Sequence, residues 1–306
     1  MNSTGTASGS AWAVALSPNG RYVLFGSIAS DLVATPKGTT PTACGGGPCF
    51  DVFVRDLKLG TTTLVSVNST GTASGNANSN AVALSPNGRY VLFNSDASDL
   101  VANDTIGSFD VFVRYLKLGT TTLVSVNSTG TASGNADSEG VVLSPNGRYV
   151  LFESIASDLV ANDANGSFDV FVRDLKRGTT TLVSVNSTGT AGGNSSSVSD
   201  SFSANGRYVL FDSIASDLVA TPKGTTPTAC GGGPCFDVFV RDLKLGTTTL
   251  VSVNSTGTAS GNAVSAAVGL TPNGQYVLFN SSASDLVATP ACGGGPCSDV
   301  FVRQLR

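Results

Sequence analysis

The chain has 306 residues, a net charge of −4 and a pI near 4.7, with 41% hydrophobic but only 12% charged residues. This acidic balance, with no basic patch, excludes nucleic acid as an expected partner, and no apolar run is long enough to span a bilayer. With so little charge, hydroxyls, amides and glycine must cover the surface, which suits an extracellular or self-assembling protein better than a cytosolic one.

The opening stretch MNSTGTASGSAW has neither a basic n-region nor an apolar h-region, so no signal peptide is expected there. The cysteines favour a mature or trimmed chain over an unsecreted one. From about residue 10, four short apolar runs follow one another. The first ends at Leu16, and Ser17-Pro18-Asn19-Gly20 then reads as a type I turn with glycine in the left-handed position. The second run is RYVLF from Arg21, the third DVFVRDL from Asp51, and the fourth TTTLVSV from Thr61, with Lys58-Leu59-Gly60 as the turn between the last two. β-Branched and aromatic residues dominate each run, so all four are expected strands. A variable segment separates runs two and three, and NSTGTA leads out of the fourth.

The same order then returns. SPNGRYVLF begins at Ser17, Ser85 and Ser144, SANGRYVLF at Ser203 and TPNGQYVLF at Thr271, so the repeat is about 60 residues long. No stretch shows a helical apolar period. Apolar residues fill both parities, as in Tyr22-Val23-Leu24-Phe25, so these strands must be covered on both faces. One such sheet cannot stand alone, but five packed face to face around an axis can. The expected fold is all-β, a five-bladed β-propeller. It forms a single domain over 1–306, with blades at approximately 10–67, 78–126, 137–185, 196–253 and 264–306. Small residues belong on the innermost strands, where Ala13, Ala15, Ala81, Ala83, Gly140 and Gly269 fit. A linear solenoid is the rival, and it would need distinct polar caps.

At Ser85–Gly88 and Asp51-Val52-Phe53-Val54-Arg55-Asp56-Leu57 the chain resembles the WD40-like, TolB-type propeller repeats, here over nearly its whole length. It departs in using Asn for Asp in the Pro-Asn-Gly turn. The resemblance implies the fold and says little about function, because members include scaffolds, binding modules and accessory domains of enzymes. Counting runs, the last blade lacks its outer strand and leaves a bare edge. Either a longer repeat protein has been cut there, or the edge serves self-association.

In a blade the long second-to-third loops and the crossovers share one face, and binding usually resides in such loops. CGGGPC occupies the second-to-third loop of copies one, four and five, as Cys44/Cys49, Cys230/Cys235 and Cys292/Cys297. A disulfide in each is the leading expectation, with a thiolate zinc site or a redox pair as alternatives. Copies two and three carry NDTIGS and NDANGS instead. Asp163, Asn165 and Asp169 resemble part of a calcium loop, so calcium is the candidate cofactor. Copy two has Ile106 where Asn is expected, and an Asx-turn is the alternative in both. Copies one, four and five would form one cystine-rich sector for a ligand or partner.

Asn2, Asn68, Asn127, Asn186 and Asn254 head NST triplets, sequons for N-glycosylation in form. They stand in crossovers that are otherwise flexible polar segments. Asp31 and Arg55, with their equivalents, are expected to form one structural ion pair per blade. Trp12, the only tryptophan, either packs near the axis or stacks on a ligand. These features favour a secreted, non-catalytic propeller of the extracellular space or cell surface. Such a propeller is a structural element, for example a self-assembling fibre or surface-layer subunit. The alternative is a carbohydrate- or peptide-binding module using the cystine-loop face. A glycosidase-type enzyme would need two carboxylates across the axis, drawn from Asp137, Glu139 and Asp200, and is the least favoured.

Overall fold

The computed structural model describes residues 10–35, 44, 47–163, 165–222, 230, 233–288 and 298–305. Each repeat forms its strands where the four runs lie. The first gives β1 (Ala11–Leu16), β2 (Tyr22–Ser27), β3 (Asp51–Asp56) and β4 (Thr61–Leu64). The second gives β5 (Ser79–Leu84), β6 (Tyr90–Ser95), β7 (Asp110–Tyr115) and β8 (Thr120–Leu123), and the third β9 (Ser138–Leu143), β10 (Tyr149–Ser154), β11 (Asp169–Asp174) and β12 (Thr179–Leu182). The fourth gives β13 (Ser197–Phe202), β14 (Tyr208–Ser213), β15 (Asp237–Asp242) and β16 (Thr247–Leu250), and the fifth β17 (Ser265–Leu270), β18 (Tyr276–Ser281) and β19 (Asp299–Gln304). Strands pair in chain order within five sheets, four of them four-stranded and the last three-stranded, β17-β18-β19. No α-helix occurs among the described residues, and no helix there is long and apolar enough to cross a membrane. This is the five-bladed β-propeller fold, with three strands in the last sheet among the described residues.

The chain divides into two compact units. One comprises Met1–Phe152, Ala156–Leu159 and Arg173–Thr179, and the other Glu153–Ile155, Val160–Val172 and Thr180–Arg306. In the first unit, Val52, Val91, Phe93 and Phe112 are buried in one core with Ala97 and Leu100. Each fully buried Phe or Val there contributes about 1.5–3 kcal/mol. In the second, Leu210, Val238, Val251 and Val277 do the same.

The turns show why the repeat needs its fixed letters. Gly20 sits at φ +67°, in the left-handed region, and its N–H donates to Ser17 O at 2.8 Å. The Ser17 hydroxyl accepts from Tyr22 N–H (2.8 Å) and donates to Asn19 Oδ1 (2.7 Å), which also accepts from Arg21 N–H (3.0 Å). The turn glycine also makes room for the preceding blade. A Cβ on Gly88 would lie 2.3 Å from the Tyr22 ring, and Tyr90 covers Gly147 in the same way. Within the second unit Tyr208 covers Gly274.

A second contact joins successive sheets. The innermost strand carries a register shift after its third residue, for example between Ala267 and Ala267's second neighbour Gly269. The N–H of that third residue is taken by a side chain on the second strand of the previous sheet. Gly140 N–H donates to Asn94 Oδ1 (2.9 Å), Ser199 N–H to Glu153 Oε1 (2.6 Å) and Ala267 N–H to Asp212 Oδ1 (3.0 Å). Gly140 also permits close approach, since a Cβ there would stand 2.9 Å from Val111.

Coverage on both faces does not extend to every sheet. On the first sheet Trp12, Val14 and Leu16 are exposed. On the fifth, Val300 and Val302 are 70% and 67% exposed, whereas their equivalents Val52 and Val54 on the first are 0% and 3% exposed. The opposite face of the fifth sheet, with Val277 and Phe279, is buried.

The expected Asp31–Arg55 ion pair is corrected. The pair that recurs joins Arg21 to Asp56 (2.7 Å), Arg148 to Asp174 (2.6 Å) and Arg207 to Asp242 (2.6 Å). It links the residue just before the second strand to the one closing the third, because the hairpin register sets Tyr22 opposite Asp56. Arg55 instead donates to the Thr62 hydroxyl at 3.0 Å. The later equivalents of Asp31 clamp the blade entry: Asp99 accepts Asn76 N–H (3.0 Å), and Asp158, Asp217 and Asp285 repeat this with Asn135, Asn194 and Asn262.

Candidate functional site in the second-to-third loops

Each of these loops ends on the aspartate that opens the third strand. Asp51, Asp110, Asp169 and Asp237 are buried. Each accepts a hydrogen bond from a serine of the VSV run, Ser66, Ser125, Ser184 and Ser252, at 3.0, 2.6, 2.5 and 2.9 Å. The same serine hydroxyl accepts the N–H of the residue after the aspartate, as Ser66 does from Val52 (3.1 Å). These repeated carboxylates anchor the end of the loop to the sheet.

Cys44–Cys49 and Cys230–Cys235 are disulfides, with Cα atoms 5.2 and 5.4 Å apart. Cys292 and Cys297 lie outside the described residues. The two bridges point to a location outside the reducing cytoplasm.

In the third repeat, Asp163, Asn165 and Asp169 come together. A Cβ on Gly192 would lie 2.9 Å from Asp169 Oδ2, 3.0 Å from Asn165 Nδ2 and 3.3 Å from Asp163 Oδ1. The atom that Asn165 turns to the carboxylates is its nitrogen, which donates to Asp169 Oδ2 (2.8 Å) and to Gly193 O (2.5 Å). Its oxygen accepts Ser167 N–H at 2.7 Å, an Asx-turn. Burial raises both carboxyls, and each is further raised or lowered by bonding to the other. In the second repeat burial pushes Asp110 up to about 8 and Asp104 up to about 6. No group of three or more His, Cys, Asp or Glu suited to a metal converges among the described residues.

The sequon asparagines are half-buried organisers of the crossovers, and Asn2 lies outside the described residues. Asn68 Oδ1 accepts Thr72 N–H (3.0 Å) and the Thr70 hydroxyl (3.0 Å), and Asn127, Asn186 and Asn254 repeat the network. These segments are therefore built loops, contrary to the expected flexible crossovers. The Asn68–Gly71 loop, Leu100–Ala102 and Arg114 line a cleft of about 490 Å³ in the first unit.

Trp12 lies across Gly26, where any Cβ would be 2.2 Å from its ring, and meets Phe50 edge to face at 4.7 Å between centroids. Both rings are partly exposed, at 38% and 40%, and Phe50 adjoins Cys49 of the first cystine loop. Sequence reasoning singled out Trp12 and missed Phe50, whose repeat equivalents made it look generic. Asp137 accepts Phe109 N–H at 3.1 Å, while Glu139 is exposed and Asp200 half-buried.

No family model matches the chain, and no curated protein matches it. Solved structures do. A structure of prolyl endopeptidases aligns over 96% of this chain and 34% of its own, at 12% identity and a TM-score of 0.51. TolB from Acinetobacter baumannii aligns over 91% of this chain and 53% of its own, at 16% identity and a TM-score of 0.43. The propeller domain of the Trilobed protease from Pyrococcus furiosus aligns over 97% and 69%, at 9% identity and a TM-score of 0.47. The chain thus spans about a third of the prolyl endopeptidase and half of TolB. What it shares with these proteins is the propeller fold.

Proposed function

We propose that this chain is a non-catalytic extracellular β-propeller with a structural role, joining head to tail with further copies of itself. One observation carries this. The two contacts that join successive sheets recur, in halves, on the exposed faces of the first and fifth sheets. Tyr276, the equivalent of Tyr22, is 41% exposed, and Asn280, the equivalent of Asn94, is exposed as well. On the first sheet, the space around Gly20 that Tyr22 fills at Gly88 is open to 4 Å, and Ala13, the equivalent of Gly140, is exposed. A knob and an acceptor stand on one sheet, and a socket and a donor on the other. The faces carry valine and leucine without charge, and the outer edge of β19 adds a second route for strand pairing.

Light scattering coupled to size exclusion, with electron microscopy of the native material, tests this. The wild type is expected to grow in mass with concentration, and Val302→Lys or Gly20→Ala to remain monomeric. A wild type that stays monomeric at every concentration would overturn it, whether because the faces meet within one chain or because they meet nothing.

The exposed Trp12–Phe50 pair beside a cystine loop favours a second role, binding a carbohydrate or peptide through aromatic stacking. A glycan array read with wild type and Trp12→Ala addresses it; equal signals from the two would dispose of this role.

A further inference from the structure

The second and third repeats build the same slot and fill it differently. In the third, the Asn165 amide nitrogen sits between Asp169 and the Gly193 carbonyl, and Gly192 leaves room for it. In the second repeat Asp104 and Asp110 keep both carboxylates, Ser133 stands at the place of Gly192, and Ile106 stands at the place of Asn165. Ile106 is 40% exposed, so the second slot has no amide to close it. The Ser133 side chain starts from the position that, in the third repeat, faces both carboxylates at about 3 Å.

The second slot is buried and under-satisfied. Asp110, Ser133 and Asp104 are 0%, 1% and 6% exposed. Asp110 Oδ2, Asp104 Oδ1 and Ser133 Oγ are buried without a hydrogen-bond partner. Ser133 lies beside Asp104 without the geometry of a hydrogen bond. Leaving such an atom bare is unfavourable, and more so for a charged group. The neighbouring charges make this worse: Asp104, Asp137 and Asp158 act on Asp110, and Asp99 acts on Asp104, all of them negative.

We infer that the second repeat holds a hard divalent cation of calcium's class, ligated by Asp104, Asp110 and Ser133. The donors are all oxygen, which suits calcium rather than zinc or copper. Backbone carbonyls and water complete its shell. In the third repeat the Asn165 amide does the cation's work, donating to Asp169 Oδ2, whose counterpart Asp110 Oδ2 has no partner. With two carboxylates per slot, the affinity belongs in the range of roughly 10⁻⁴–10⁻³ M typical of extracellular calcium modules.

The test is calorimetric titration of the full chain, stripped with chelator, against calcium chloride, with thermal unfolding in parallel. The wild type is expected to bind one calcium per chain and to melt higher in its presence. Asp110→Asn should weaken binding at least tenfold, and Asp163→Asn should leave it unchanged. The double variant Ile106→Asn with Ser133→Gly installs the third repeat's own residues, so it retains the fold, and it should lose the ion. Absence of both heat and melting shift in the wild type at millimolar calcium would overturn the inference. So would undiminished binding in the double variant, or loss of binding in Asp163→Asn.

Discussion

Replacing Asp212 by asparagine should stabilise the protein, and by an amount set by pH. Asp212 holds the N–H of Ala267 through both of its oxygens, at 3.0 and 3.1 Å. Burial, above all, pushes its carboxyl up to about 7; the Ala267 bond opposes this, and the charges of Asp200 and Asp237 add to it. A carboxyl that titrates higher folded than unfolded favours the native state below the unfolded value, near 4. That contribution is lost as pH rises towards 7 and changes no further above it. A rise from 3.8 to about 7 corresponds to about 4 kcal/mol at 1.36 kcal/mol per unit. Asp212 keeps partial contact with solvent, and screening there lowers the expected gain to about 2 kcal/mol. Asparagine keeps the acceptor without the charge, as Asn94 already does for Gly140. Urea unfolding of wild type and Asp212→Asn from about pH 4 to pH 8 measures the difference. A gap that is the same at both ends, or a variant less stable at pH 8, would refute the assignment of this cost to a buried charge.

Gly88→Ala should cost more than Gly20→Ala, both measured at concentrations where the chain is monomeric. Both positions share the left-handed backbone, which costs about 1–2 kcal/mol for alanine, but only Gly88 faces a ring, which adds about 1–3 kcal/mol; equal unfolding midpoints would contradict the Tyr22 contact. Reduction of Cys44–Cys49 and Cys230–Cys235 should lower stability by about 2 kcal/mol per bridge without unfolding the sheets, as followed by circular dichroism. The Arg21 guanidinium holds the Asp56 carboxyl down at about 2. Its contribution is therefore present above the ordinary aspartate value and is lost as pH falls through 2, which proton-titration NMR of Asp56 in wild type and Arg21→Gln would register as an upward shift.

The repeat made most of the fold legible. Pro-Asn-Gly between two apolar runs specifies a hairpin because Gly20 and its equivalents alone tolerate φ near +70°. Cysteines five apart with glycines between them, as at Cys44 and Cys49, specify a short ring. What the sequence concealed was pairing. Arg21, Asp31, Arg55 and Asp56 recur together, and periodicity shows that each has a fixed place without showing which charge meets which. Gly26, Asn94, Glu153, Asp212 and Asn280 occupy one position in the five copies. Their variation looks like drift, yet three of them are acceptors for the next sheet. The second and third slots hid their contrast for a related reason: Ile106 and Ser133 acquire meaning only when seen beside Asn165 and Gly192, which are distant in sequence from each other.

The ring-on-glycine contact has a consequence for ancestry. Tyr22 on Gly88, Tyr90 on Gly147 and Tyr208 on Gly274 are the same contact used three times, and each repeat encodes its own copy of the ring and of the glycine. Unequal crossing-over in the gene could add or remove a whole unit, and the new neighbours would already fit, with no fresh surface to evolve.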